Sequence, residues 1–162
     1  MHRTATFSPC RRYRYSLWRN WGDLLDADKG YAMFVGLNPS TANETEDDPT
    51  IRRVIGFSKA WGFSGLCMTN LFAFAATQPR VMLAEPDPVG PDNDAHLIEL
   101  AKDAGVVVAA WGTHGRHRGR DAEVKFLLPN LNYLALTKDG HPGHPLYLPA
   151  DLKPIAWSGS FD

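Results

Sequence analysis

The sequence predicts an α/β fold, a three-layer α/β/α sandwich around a central, mainly parallel sheet of four strands. Short apolar runs with the length of buried strands recur along the chain and alternate with helical patterns. The clearest run, Val106-Val107-Val108-Ala109-Ala110, is continuous rather than alternating, as expected of a parallel strand that is covered on both faces. Each run passes into polar or glycine-rich residues, which predicts a loop at the carboxyl end of each strand.

The bulk composition indicates one domain with no dominant electric field. The chain has 162 residues, and its net charge is only -1, from 17 basic and 18 acidic residues. Such a balance does not steer a protein onto long nucleic acid, although a local basic patch is compatible with it. We therefore expect a single domain over residues 1–162 with a core of about 12–149, without internal repeats or linkers.

Several classes of protein are not indicated. The two cysteines, Cys10 and Cys67, form neither a disulfide framework nor a metal-binding spacing. No apolar run approaches the roughly 18 residues of a membrane span, and no signal-peptide pattern opens the chain, so a cytoplasmic location is the expectation. Because the dinucleotide-binding glycine fingerprint, the phosphate-binding P-loop and the serine nucleophile elbow are all missing, we expect no cofactor.

The order of elements follows from these patterns. The four predicted core strands cover residues 31–36, 65–72, 106–112 and 131–137. The three predicted helices cover about residues 49–61, 95–104 and 121–128. Asp48 before Pro49 is a typical helix start, and Gly62 a typical helix end.

The remaining segments are predicted with less regular structure. Residues 11–18 alternate basic and aromatic side chains, which predicts an edge strand. The alternative for this stretch is a nucleic-acid-binding surface. Irregular structure is expected in residues 1–10, 20–30, 73–91 and the tail after residue 149. The long segment 73–91 contains four prolines, and loops of that length often serve as lids or binding segments.

Polar residues follow every predicted core strand. Because the carboxyl ends of parallel strands lie at one edge of a sheet, these residues should converge on one site. The first strand leads into Asn38-Pro39-Ser40-Thr41, the second ends at Asn70, the third leads into His114–Arg120, and the fourth into His141–His144. Ordinary turn chemistry is the alternative explanation for the first of these loops.

The loop after the third strand carries two histidines and three arginines within eight residues. Arginine side chains bind phosphate with two parallel hydrogen bonds, and the amides of a following helix N-terminus also attract anions. We therefore expect phosphate contacts from Arg116 and Arg120, with His114 and His117 nearby. A solvated basic loop is the alternative.

Two histidine pairs raise the question of a metal site. His114-x-x-His117 and His141-x-x-His144 offer four imidazoles, but neither pair has the i, i+4 spacing of helical metal ligands. We expect no metal, and keep a metal-dependent hydrolase as an alternative. A Ser40 nucleophile with His144 as its base has no supporting motif.

The motifs GLNPSTA, DDPTIRR, TNLFA, PVGPDND, AWGTHGR and HPLYL, in this order, resemble a bacterial and phage family of unknown function over about residues 12–149.

A second resemblance is to the uracil-DNA glycosylase superfamily, in its mismatch-specific branch. Gly36-Leu37-Asn38-Pro39-Ser40 is similar to the first motif of that branch, whose asparagine positions the hydrolytic water. The loop 141–146 is similar to the histidine motif after the last core strand but one residue longer, so either His141 or His144 is its equivalent. Thr69-Asn70 is similar to a pair that reads the base edge. The chain departs from the classical enzymes in lacking their Asp-Pro-Tyr motif, and its acidic loop 44–48 argues against ordinary duplex binding.

The sequence thus predicts a site that recognises a nucleobase or nucleotide and hydrolyses an N-glycosidic bond of a modified base or nucleotide. The expected catalytic residues are Asn38, Asp47 or Asp48, and His141 or His144. The expected substrate-binding residues are Pro39, Ser40, Thr41, Asn70, Phe72, Trp111, His114, Arg116, His117 and Arg120. Partners would be a nucleobase, a nucleotide or single-stranded or modified nucleic acid, with no membrane. The alternatives are a non-catalytic nucleotide or nucleic-acid binding module and the metal-dependent hydrolase.

Overall fold

The computed structural model describes residues 1–22 and 28–157. In this part of the chain one sheet contains β1 (His2–Phe7), β2 (Arg14–Asn20), β3 (Tyr31–Gly36), β4 (Gly65–Asn70), β5 (Val106–Ala109), β6 (Leu131–Tyr133) and β7 (Ile155–Ala156). The helices are α1 (Pro49–Ala60), α2 (Pro79–Ala84), α3 (Asn93–Lys102) and α4 (Arg120–Leu127). None of these helices has the length and apolar composition needed to cross a membrane.

The centre of the sheet is parallel, as predicted. Strands β4, β3, β5 and β6 lie side by side in this order, and each pair among them is parallel. Gly36 at the end of β3 pairs with Asn70 at the end of β4. The carboxyl ends of these two strands are therefore level, and the loops that follow them leave from the same edge of the sheet.

The complete sheet is mixed rather than mainly parallel, which corrects the four-stranded prediction. Strands β1, β2 and β7 are antiparallel to their neighbours, and the order across the seven-stranded sheet is β1-β2-β4-β3-β5-β6-β7. Residues predicted as an irregular lead-in form β1, so β1 is the edge and β2 lies inside the sheet. The tail after residue 149 supplies β7 at the other edge.

Helices cover both faces of the sheet. On one face α1 contributes Ile51, Val54 and Phe57 to a core shared with Phe34 of β3. On the other face α2, α3 and α4 contribute apolar side chains to a second core, namely Met82, Leu97 and Val124. Burial of such side chains contributes about 1.5–3 kcal/mol each. The predicted three layers are thus present, with two separate cores.

Helix boundaries follow the capping pattern closely. The Asp48 side chain accepts a hydrogen bond from the backbone N–H of Ile51, and Pro49 opens α1. After the helix, Gly62 adopts the left-handed conformation, at φ +88°. The predictions for α3 and α4 are off by one or two residues at each end, because neither cap residue makes a side-chain hydrogen bond there.

Several irregular segments differ from the prediction. The segment 73–91 contains α2, whose start at Pro79 uses the fixed φ of proline. The last core strand ends at Tyr133 instead of residue 137, and the arginine-rich loop Thr113–Gly119 forms 3-10 turns with a kink at His117 and Arg118. Residues 23–27 of the predicted loop 20–30 lie outside the described residues.

Candidate functional site

A cavity of about 630 Å³ lies at the carboxyl ends of β3, β4 and β5, on the face covered by α1. Its volume falls within the usual range for small-molecule sites. The loop after β3, the start of α1 and the segment 143–147 form its walls. The predicted residues that line it are Asn38, Ser40, Asp48, Asn70, Trp111, His114 and His144. The predicted residues outside the lining are Pro39, Thr41, Asp47, Phe72, Arg116, His117, Arg120 and His141.

Backbone carbonyls hold Asn38 in one orientation. Its Nδ2 donates to the carbonyl oxygens of Pro39 at 3.1 Å and Ala76 at 2.9 Å. An amide oxygen in that place would face these carbonyl oxygens with no hydrogen to share, so the amide cannot be reversed. The Oδ1 atom of Asn38 is consequently the end that can accept a hydrogen bond from a ligand or water. Buried Pro39 positions this amide rather than lining the cavity.

Asn70 differs from Asn38 in having a hydrogen-bond donor, rather than an acceptor, without a partner. Its side chain is 2% exposed and lines the cavity, and its Nδ2 has no hydrogen-bond partner. Its Oδ1 lies beside Gly36, where an added Cβ would be only 2.9 Å away, so glycine leaves the room that this amide needs. Asn93 from α3 donates to the backbone oxygen of Asn70 at 3.0 Å and holds the strand end in place. Asn38 just after β3 and Asn70 at the end of the paired strand β4 therefore offer one acceptor and one donor.

The two consecutive aspartates have different environments. Asp48 is 9% exposed, lines the cavity, and uses Oδ1 to cap α1 through the N–H of Ile51 at 2.9 Å. Asp47 lies outside the lining and pairs with the fully buried Arg19, whose Nε is 2.7 Å from Asp47 Oδ1. Of the two predicted bases, Asp48 is thus the one at the cavity, and Asp47 anchors the loop.

The two histidines of the last loop are also separated. His144 lines the cavity, and its Nδ1 accepts the backbone N–H of Leu146 at 3.2 Å. Burial lowers the pKa of His144, while the negative charge of Asp48 acts in the opposite direction. A neutral ring whose Nδ1 is an acceptor carries its proton on Nε2, so Nε2 is the available donor. His141 lies outside the lining, and its backbone N–H bonds the hydroxyl of Thr137.

Arg14 is a cavity residue that the sequence analysis missed. Register between β1 and β2 shifts at this point: Thr6 pairs with Ser16 and Phe7 with Arg14, so Tyr15 is an extra residue, a β-bulge. A bulge interrupts the alternation of faces and can re-aim a side chain. Arg14 is 3% exposed and donates Nη1 to the carbonyl oxygen of Ala42 at 2.9 Å. Four threonines, at positions 50, 77, 113 and 137, complete the polar lining.

The aromatic residues predicted to bind substrate serve mainly as core. Phe72 is fully buried in the second core, and its ring lies 5.7 Å from that of His117. The residue Trp111 borders the cavity, but its ring packs 5.9 Å from Trp157 in the same second core. The neighbouring Gly115 approaches this indole so closely that a Cβ would lie 2.2 Å from its Cδ1.

The arginines predicted to bind phosphate lie elsewhere. Arg120 is 1% exposed and pairs with Asp94 at 2.6 Å and with Glu123, and its Nε donates to the Leu71 carbonyl. The arginine-rich loop predicted a phosphate contact for Arg120, but two carboxylates from α3 and α4 pair with its guanidinium instead. Arg116 is exposed outside the cavity.

The remaining predicted residues lie at the surface, and the histidines do not converge. Thr41 is exposed outside the cavity, while exposed Ser40 and His114 border its opening. Among residues 1–22 and 28–157, no three His, Cys, Asp or Glu side chains are close enough to hold a metal ion together. His117 packs on Phe72 in the opposite core, so the four imidazoles of the metal hypothesis do not form a ligand set.

Comparisons with known proteins give one match. No curated protein and no solved structure matches the chain. The resemblance to the uracil-DNA glycosylase superfamily therefore has no support beyond the motifs themselves. Residues 14–146, which contain all the cavity-lining residues except Tyr147, match a family whose description assigns no activity. The chain belongs to the family described as "Protein of unknown function (DUF1643)".

Proposed function

We propose that the cavity binds a nucleobase, free or in a nucleotide or single-stranded nucleic acid, and that the chain hydrolyses the N-glycosidic bond where the base is attached to a sugar. The observation that carries the proposal is the pair of asparagines at the carboxyl ends of adjacent strands, Asn38 in the loop after β3 and Asn70 as the last residue of β4. Asn38 offers Oδ1 as an acceptor and Asn70 offers Nδ2 as a donor to the same cavity. Nucleobase edges carry neighbouring donors and acceptors, which such amides read.

The proposed hydrolysis uses three side chains of the lining. Water held by Asn38 Oδ1 attacks the anomeric carbon of the sugar, and the Oδ2 of Asp48 accepts the proton that this water loses. The bond from the sugar to the base nitrogen breaks, and the base leaves with the electron pair. Neutral His144 donates a hydrogen bond from Nε2 to the departing base, where negative charge develops. Asp48 retains its helix cap during the reaction, because the cap uses Oδ1.

One observation favours the second candidate, a binding module without turnover. Asp48 already has a structural task as the cap of α1, and helix caps are commonly aspartates without any catalytic role. In that case the cavity would bind the same ligands, and no bond would be cleaved.

The test is a mass-spectrometric screen for released base. The protein is incubated with nucleotides and with single-stranded oligonucleotides that carry modified bases, beside the variants Asn38→Ala, Asp48→Asn and Asp47→Asn. Asparagine is a good helix cap, so Asp48→Asn keeps α1 intact while removing the proton acceptor. Asp47→Asn is the matched control, since Asp47 lies outside the cavity and an asparagine oxygen can still accept from Arg19 Nε. Every variant is assayed below its unfolding midpoint, because this change removes the counter-charge of Arg19.

We expect base release by the wild type and by Asp47→Asn, and its loss by a factor of at least about 100 in the other two variants, the usual range for a catalytic acid or base. Binding of a nucleoside without any release of base would favour the binding module. Absence of both binding and release across the panel would refute the proposal.

A further inference from the structure

Three residues of the cavity lining have a buried hydrogen-bond donor without a partner in the part of the chain that the structure describes. One is Nε1 of Trp111, whose indole packs in the second core. The other two are Nε of Arg14 and Nδ2 of Asn70, on polar side chains that are 3% and 2% exposed. A buried donor without an acceptor costs about 1–3 kcal/mol, more when it belongs to a charged group. Arg14 and Asn70 lie on the neighbouring strands β2 and β4 and line the same cavity. Acceptors supplied by a ligand would remove both costs at once.

The guanidinium of Arg14 has a positive charge that its surroundings offset only in part. Nη1 donates to the carbonyl oxygen of Ala42, and no carboxylate among the described residues lies within 4.0 Å of Arg14. Burial lowers the pKa of Arg14 to about 10, and the charge of Asp48 counteracts this change from a distance. Arg14 therefore stays protonated at neutral pH, and its Nε–H has no acceptor within residues 1–22 and 28–157.

Arg19, the other buried arginine of β2, differs from Arg14 in that its guanidinium has several hydrogen-bond acceptors. Arg19 donates to the Asp47 carboxylate and to the carbonyl oxygens of Trp18, Asn43 and Glu46, at distances of 2.6–3.0 Å. Arg14 has only one of these kinds of partner. The contrast lies within one strand, and it indicates that the missing partner of Arg14 is a ligand.

We propose that Arg14 and Asn70 form a subsite for an oxyanion, so that the ligand of this cavity carries a carboxylate or phosphate group. A guanidinium binds two oxygens of such a group with parallel, charge-assisted hydrogen bonds, and the amide N–H of Asn70 adds a further one. This subsite rests on the proposed function in sharing its cavity and the amide of Asn70, whose nitrogen has two hydrogens, one for the base edge and one for the oxyanion. Asn38 and His144 contact the uncharged part of the ligand. The substrate class becomes an anionic nucleobase derivative or a nucleotide.

The test uses inorganic phosphate and acetate as separate probes at constant ionic strength, followed in ¹H–¹⁵N spectra through the Arg14 Nε–H and the Asn70 side-chain amide. Titration with the anion that fits the subsite should shift both NMR signals until the shifts saturate. Arg14→Gln should weaken binding by about 10- to 100-fold, as expected for loss of a hydrogen bond to a charged group. Arg116→Gln is the matched control, because Arg116 is exposed outside the cavity. Binding of phosphate without acetate, or the reverse, identifies the source of the oxyanion.

A second variant guards against misfolding of Arg14→Gln. Asn70→Asp has the same size but puts a carboxylate at the subsite, which repels an anion. This variant should therefore also weaken binding of the oxyanion by at least tenfold. No saturable shift in the wild type, or unchanged affinity in either folded variant, would overturn the proposal. A nucleoside that binds while both anions fail would leave the nucleobase site standing without the subsite. Anions that bind while every nucleoside fails would refute the nucleobase site and keep the subsite.

Discussion

Removal of the Asp47 carboxylate should destabilise the fold, because it leaves the buried Arg19 guanidinium without a counter-charge. Arg19 is 0% exposed, and Asp47, at 18% side-chain exposure, is its ion-pair partner at 2.7 Å. Arg3 lies 3.9 Å from the other oxygen of Asp47, at a much more exposed position, and adds little. Asp47→Ala therefore tests whether the loop that carries Asp48 depends on this pair.

The expected magnitude follows from what Arg19 retains. Breaking a buried ion pair by removal of one partner costs about 3–5 kcal/mol. Arg19 keeps the carbonyl oxygens of Trp18, Asn43 and Glu46 as acceptors, so the lower end of this range, about 3 kcal/mol, is expected. For a chain of this size that corresponds to a fall in Tm of roughly 6–12 °C.

Urea denaturation followed by tryptophan fluorescence and circular dichroism measures this change directly. Glu99→Gln serves as the control, since Glu99 forms an ion pair with Lys102 that is exposed on both sides. The control should leave the midpoint essentially unchanged. A loss below about 1 kcal/mol in Asp47→Ala, the value of a surface pair, would refute the reasoning that Arg19 depends on a buried counter-charge.

Three other perturbations have definite expected outcomes. Gly115→Ala should lower the free energy of unfolding by about 1–3 kcal/mol, because its methyl group would lie 2.2 Å from an indole atom. Gly56→Ala, which has open space on α1, should instead stabilise the protein by up to about 1 kcal/mol. Equal effects of the two variants in thermal unfolding would contradict this. Burial lowers the folded-state pKa of His144, so its contribution to stability is present above the unfolded pKa of about 6.5 and is lost as the pH falls through it toward the folded value. Urea titrations across this range should show a weaker pH dependence in His144→Gln, and identical slopes would exclude His144 as the cause. In the native protein a thiol reagent should modify exposed Cys10, because a hydrogen bond with Ser8 lowers the pKa of this thiol. The reagent should spare Cys67, because burial raises the pKa of that thiol. Rapid reaction of both thiols before unfolding would contradict the described core.

The parallel centre of the sheet and the start of α1 could be predicted because both depend on local patterns. A continuous apolar run such as 106–110 suits only a strand covered on both faces. Asp48 and Pro49 satisfy the free backbone groups of a helix start whatever lies around them. The convergence of Asn38 and Asn70 on one cavity followed from the parallel arrangement, since it levels the strand ends.

The outer strands and the arginines depend on distant partners and could not be predicted in this way. Residues 2–7 show no apolar core face, and they form β1 because β2 offers them an unpaired edge. Arg14 belongs to the basic segment 11–18 and Arg120 to the arginine-rich loop, and both segments indicate solvent or phosphate contact. No sequence pattern marked Arg19. The burial of all three arginines depends on carbonyls and carboxylates that lie up to 49 residues away in the chain.

By itself, the sequence of this protein determined the α/β class, the succession of the core strands along the chain, the capped helix α1 and the sheet edge at which polar groups gather. These features follow from hydrophobic periodicity and from backbone hydrogen bonding, which act over a few residues. Only the tertiary structure decided which of two adjacent aspartates meets the cavity, which histidine joins it, and that Arg14 turns inward at a β-bulge. Those choices depend on whether each charge finds a partner when it is buried, and that partner comes from another part of the chain.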